Sequence, residues 1–370
     1  MDRHKSSAIP LAWLYVGLIA YASLYPFEGW RWPPLSAFAF LTLPWPRYWT
    51  AFDLLANLLG YAPLGLLLFA AQIRLGRSAP GAFAFAVLMS AGLSFSLELT
   101  QNALPSRVAS NVDIAINTAG ALVGAVTGLL LRAAGLLERW HRWRERWFVD
   151  RSAGGVALLL LWPAGLLFPT PLPLAMGRVL SRLRETIEQM LADTPAADWV
   201  PGVFGGQMFS SGLPPAGELL VVALGLLAPC LLALSVCQRG WRRGVMVLVI
   251  GMTGIATTTL STALNFSPQH AMAWLTPTAS VGLALGGLAA LLLAWLPRRA
   301  AAALGLMALT ALVSLVAQTP ADAYFAESLQ AWEQGRFIRF NGAAQWVGWL
   351  WPYAAMAYLL SHVAARDDHR

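Results

Sequence analysis

Residues 51–73 read AFDLLANLLGYAPLGLLLFAAQI, with one charged side chain, Asp53, in the whole stretch. A membrane span needs about 20 apolar residues, and this stretch supplies them without the strict alternation of a barrel strand. Hydrocarbon offers a backbone amide no water, so an apolar run of this length satisfies itself as a helix. Runs of the same kind recur on both sides of it: Ala8–Pro26, Pro80–Gln101, Val112–Ala133, Gly154–Leu174, Pro215–Cys237, Gly244–Leu264, Met272–Leu296, Ala300–Gln318 and Ala344–His362. The expected fold is therefore all-α, a polytopic integral membrane protein with about ten transmembrane helices.

Composition agrees. The 370 residues are 58% hydrophobic and 12% charged, against about 25% charge in a soluble globular chain. The net charge of +7 does not point to nucleic acid, because the basic residues stand between spans and no soluble segment is large enough to present a basic face. With ten spans, 17 of the 25 Lys and Arg residues fall on one side and 8 on the other. The richer side is cytoplasmic by the positive-inside rule, which puts both termini in the cytoplasm. Cys230 and Cys237 lie seven positions apart in one apolar run, roughly 10 Å along a helix and too far for a disulfide. The histidines show no zinc-type spacing, so no metal is expected.

The stretch ERWHRWRERWFVDR, Glu138–Arg151, divides the chain. Its interleaved Trp and Arg suit a helix lying on an anionic surface. The expected organisation is a four-helix transmembrane domain over 1–137, a basic cytoplasmic linker over 138–152, and a six-helix transmembrane domain over 153–370. Outward-facing amphipathic helices are expected within the extracytoplasmic segments 176–214 and 319–343, as interfacial anchors or as a lid.

Ionisable groups inside spans are costly and mark candidate sites. Asp53 and Asn57 open the second span, and Asp113 and Asn117 open the fourth. Each pair is four residues apart and shares a helical face. Glu98 and Gln101 close the third span, and Arg107 lies in the turn after it. Alternation puts all of them at the outer ends of three consecutive spans. Asp53 and Asp113 could serve only as N-terminal caps, but capping does not account for Glu98, well inside its span. Gly120, Gly124 and Gly128 form a small-residue stripe suited to close helix packing. The seventh span is rich in Thr and Ser, from Thr253 to Asn265, whose hydroxyls bond back to their own helix or line a path.

These spaced polar positions carry a resemblance. Asp53, Asn57, Pro63 and Gly65, then Glu98, Gln101, Pro105, Arg107, Asp113, Asn117, Gly120 and Gly124, together with YASLYPF at Tyr21–Phe27, resemble the VanZ-like membrane protein family over about residues 11–131. The resemblance implies a bacterial cell-envelope protein, here expected in the inner (cytoplasmic) membrane, and, for the family's namesake, resistance to the glycopeptide teicoplanin.

Three functions stay open. One is binding of a lipid-linked or amphiphilic ligand, such as an envelope precursor, with Arg107, Asn57, Gln101 and Asn117 as ligand-binding residues. The second is an enzyme acting on a lipid headgroup, with Glu98, Asp113 and Asp53 as catalytic carboxylates. The third is a proton-coupled transporter, although the six-span half lacks matching charges. No cofactor is expected, though clustered carboxylates also suit a divalent cation. The expected partners are membrane lipids.

Overall fold

The computed structural model describes residues 8–25, 27–32, 38–42, 44, 51–150, 152–168, 170, 172–179, 183, 187, 190–191, 213–266, 268–318 and 338–364. Each of the ten expected apolar runs holds a helix. Among the described residues the α-helices are, in chain order, α1 (Ala8–Leu24), α2 (Ala51–Arg74), α3 (Ala79–Gln101), α4 (Asn111–Ala133), α5 (Leu136–Trp147), α6 (Ala153–Leu166), α7 (Pro215–Val236), α8 (Trp241–Phe266), α9 (Pro277–Leu292), α10 (Arg298–Val316) and α11 (Ile338–Ala364). Among the described residues there is no strand, and seven helices are long and apolar enough to cross a membrane. They are α2, α3, α4, α7, α8, α9 with the turn after it, and α10, whereas α1 and α6 are apolar but shorter. Four helices carry an internal proline, Pro63, Pro163, Pro229 and Pro352, which membrane helices tolerate because neighbours re-satisfy the freed carbonyls. The expected amphipathic helices of 176–214 and 319–343 fall largely outside the described residues.

The chain forms two compact units, 1–146 and 147–370. In the first, α2 and α4 make the closest seam. A Cβ added at Gly120 would meet the Leu58 carbonyl, one at Gly124 the Ala62 carbonyl, and one at Gly128 the Phe69 ring. On the other side of the seam, Gly65 lies against the Ala121 backbone. The contacts advance together along both helices, so the two run parallel. The stripe of small residues lets backbone touch backbone, the packing that substitutes for a hydrophobic drive inside lipid. Ser78 starts α3 by accepting the Gly81 amide, and Ser110 starts α4 by accepting the Asp113 amide, both ordinary N-caps. Gly135 ends α4 at φ +67°, a backbone that side chains disfavour. The following α5 carries the basic Trp-rich segment, with Trp140 and Trp143 stacked at 5.0 Å between centroids.

In the second unit α7 is the central helix. Val221, Val222, Gly225, Leu226 and every residue from Ala228 to Val236 are buried. Small residues again set the approach. Gly282 and Gly286 bring α9 onto the Leu219 and Ala223 carbonyls, and Gly165 and Gly348 bring α6 and α11 together. Trp351 fastens that second pair by donating to the Leu158 carbonyl at 2.7 Å. The hydroxyl-rich α8 uses its side chains for packing: Thr262 donates to the Thr258 carbonyl, Asn265 to Ser261, and Ser261 to the Leu167 carbonyl. Cys230 and Cys237 are both buried free thiols.

Candidate functional site

Parallel packing of α2 and α4 brings their N-terminal ends to the C-terminal end of α3. There, three pairs of polar residues, each four apart on its own helix, face one another. Asn57 and Tyr61 come from α2, Ser94 and Glu98 from α3, and Asp113 and Asn117 from α4. They make a ladder of two rungs.

In the outer rung, Asn57 Nδ2 donates to Asp113 Oδ1 at 3.0 Å. Glu98 Oε2 accepts the Ser110 amide at 2.8 Å, and its carboxylate lies within electrostatic reach of Asp113 and Arg107. In the inner rung, Asn117 Nδ2 donates to Ser94 Oγ at 2.9 Å, and the Ser94 side chain is also hydrogen-bonded to the Tyr61 hydroxyl. Glu98 is 4% exposed and Asn117 5%. Two carboxylates thus stand near each other at the end of apolar helices, a costly placement that marks a candidate site. Asn117 Oδ1 is buried and accepts no hydrogen bond among the described residues. Asp53 opens α2 four positions before Asn57, but its side chain lies outside the described residues.

Gln101 and Arg107 form a second constellation beside the ladder. Gln101 Nε2 donates to the Ser23 carbonyl at 2.8 Å. Arg107 donates through Nε to the Tyr25 carbonyl at 3.1 Å and through Nη2 to the Ala22 carbonyl at 3.2 Å, with a further bond from Nη2 to Tyr25. The Arg31 amide reaches the Ala103 carbonyl at 2.9 Å. The last carbonyls of a helix have no partner within it, so Gln101 and Arg107 satisfy the Ala22, Ser23 and Tyr25 carbonyls at the end of α1 and, with the Arg31 amide, tie that end to the α3–α4 turn. All three carbonyls belong to YASLYPF, which gives that stretch a physical role. Phe27, at its end, holds φ +66°, a sparsely populated backbone for a bulky residue.

Of the residues singled out in the sequence, Glu98, Asp113, Asn57 and Asn117 therefore gather in the ladder, Asn57 and Asp113 in direct contact. Gln101 and Arg107 turn to the main chain of α1. Tyr61 and Ser94 were missed, although each stands one helical turn from a residue that was noticed. Among the described residues, no three His, Cys, Asp or Glu side chains gather as a metal-binding group.

Comparison with known proteins adds one match. Residues 11–132, from within α1 to the last turn of α4, match the family model described as VanZ/LLP1. No curated protein matches, and no solved structure does. Residues 133–370 lie outside the family match. The protein is thus a multi-pass membrane protein whose N-terminal four-helix region is VanZ-like.

Proposed function

We propose that the ladder of α2, α3 and α4 binds the polar head of an amphiphile, a lipid or lipid-linked envelope precursor, through hydroxyl or amino groups that donate to Glu98, Asp113 and Asn117. The observation that carries this reading is Asn117 Oδ1, a buried acceptor with no donor among the described residues, set between helices that each bring a carboxylate. A buried polar atom left unmatched costs about 1–3 kcal/mol, and a ligand donor recovers it. The lining is rich in acceptors, while the Arg107 guanidinium already serves carbonyls. That balance supports a donor-bearing head over an anion clasped by Arg107. The distribution of basic residues supports an extracytoplasmic opening.

The test uses the purified protein in liposomes with radiolabelled isoprenoid-linked and glycerophospholipids, followed by chromatography and leaflet assignment. Saturable retention of a hydroxyl- or amine-bearing lipid, at least tenfold weaker in Glu98→Gln and Asn117→Ala, is the expected result. Equal retention by wild type and both variants overturns the site. Covalent conversion lost in Glu98→Gln would replace binding by catalysis, and leaflet exchange without conversion would replace it by lipid movement. The same reading gives the glycopeptide phenotype a test: expression in a susceptible bacterium raises the inhibitory concentration of teicoplanin, and the Glu98→Gln protein does not.

A further inference from the structure

A second polar constellation lies in the other unit, where α8 and α10 begin. Arg243, in the first turn of α8, is fully buried at 0% exposure. Its Nη1 donates to the Ala294 carbonyl at 3.0 Å and to the Leu296 carbonyl at 2.6 Å, the end of the turn that leads into α10. Its Nε and Nη2 are buried and have no hydrogen-bond partner among the described residues. Arg239 and Arg298 both lie within electrostatic reach of it and are exposed. Arg298 is held in place by a 2.9 Å bond from its Nη2 to Gln238 Oε1. Cys237, the other group facing Arg243, is an uncharged thiol. The guanidinium groups that reach Arg243 are thus of its own sign, and the Asp150 carboxylate acts on Arg298.

Three guanidinium groups therefore repel one another over the positive ends of two helices. Helix N-termini favour an anion. A buried charge that faces like charges is unfavourable, so the arrangement calls for an external counter-charge. The surroundings indicate where it comes from. Trp241 and Trp295 flank the arginines at 69% and 85% exposure, and Leu292 is 68% exposed. The Arg242 guanidinium lies 5.7 Å over the Trp241 ring. Exposed tryptophans beside arginines at the ends of apolar helices are the pattern of a membrane–water interface.

We propose that this cluster binds one phosphate oxyanion, the headgroup of an anionic phospholipid. Exposed Arg239 and Arg298 touch the phosphate over the buried charge of Arg243, with the acyl chains along Trp241, Leu292 and Trp295. The site is independent of the ladder in the first unit.

The experiment measures thermal unfolding and native mass spectrometry of the full-length protein in detergent, titrated with phosphatidylglycerol, phosphatidylcholine or inorganic phosphate. Phosphatidylglycerol should bind selectively. Arg239→Gln and Arg298→Gln, both at exposed positions, should each weaken it about fivefold, while Arg77→Gln in the first unit leaves it unchanged. The proposal does not depend on Arg243→Gln, a variant that risks misfolding. Undiminished phosphatidylglycerol binding in both single variants, or equal binding of phosphatidylcholine, overturns the site. Stabilisation by inorganic phosphate with the same variant dependence, but none by phosphatidylglycerol, keeps the oxyanion and overturns the lipid.

Discussion

Asn57 and Asp113, 56 positions apart in sequence, share a 3.0 Å hydrogen bond from Nδ2 to Oδ1 across the seam of α2 and α4. The bond needs the backbones to touch, because both side chains are short. Asn57→Asp turns a donor into a second carboxylate facing the first, and Asn57→Ala only removes the donor. We expect Asn57→Ala to destabilise the protein by about 1–3 kcal/mol and Asn57→Asp by more, since like charges then share a poorly solvated site. Thermal unfolding in detergent checks the order; an Asp variant as stable as wild type removes Asp113 as a charged neighbour.

The same seam predicts a sharp contrast between glycines. A Cβ at Gly124 runs into the Ala62 carbonyl, whereas one at Gly92 on α3 meets nothing within 4 Å. Backbone cannot step aside as a side-chain tip can. Gly124→Ala should therefore cost about 1–3 kcal/mol by overpacking, while Gly92→Ala is neutral or stabilises by up to about 1 kcal/mol through helix propensity. Equal unfolding midpoints for the two variants would mean that α2 and α4 are further apart than described.

How much of this was legible in the sequence follows from what each residue touches. The helices were legible because lipid leaves an apolar run of about 20 residues few alternatives. All ten runs hold helices, yet α1 and α6 came out short, since apolar composition does not say where a helix stops. Glu98, Asp113, Asn57 and Asn117 stood out as costly in a membrane, and Gly120, Gly124 and Gly128 as a packing stripe. Tyr61 and Ser94 did not stand out, because a phenol or a hydroxyl in a membrane helix is ordinary until a partner is known. Arg107 and Gln101 were legible as polar but not as fasteners. Their partners are main-chain carbonyls of Ala22, Ser23 and Tyr25, and the identity of a residue says little about where its carbonyl points.

That fastening role has its own consequence. Arg107→Ala leaves the Tyr25 and Ala22 carbonyls short of donors, and Gln101→Ala does the same for Ser23. Hydrogen exchange should quicken at the Arg31 amide, which bonds the Ala103 carbonyl, and at Tyr25 and Phe27. Amides in the middle of α3 should be unaffected. Arg107→Lys should restore little, because one ammonium cannot present the two separately aimed nitrogens of a guanidinium. If exchange in 25–31 matches wild type in Arg107→Ala, the guanidinium is not what holds the end of α1.

Cys237 supplies a prediction in pH. It follows the last residue of α7, and burial pushes its thiol up from 9.0 to about 11, against the pull of the Arg243, Arg242 and Arg298 charges. The thiolate is the reactive form, so maleimide at pH 8 should leave Cys237 unlabelled in the folded protein and label it once detergent denaturation exposes it. The sign of the stability effect follows from proton counting. The folded thiol holds its proton more tightly than the unfolded one, so its contribution is complete below about pH 9 and is lost as pH rises towards about 11. Cys237→Ala should flatten that part of the stability curve while leaving the curve below pH 9 parallel to wild type. A variant that loses stability across this window just as wild type does would assign the loss to other groups, and rapid native labelling at pH 8 would mean that the thiol is open to solvent.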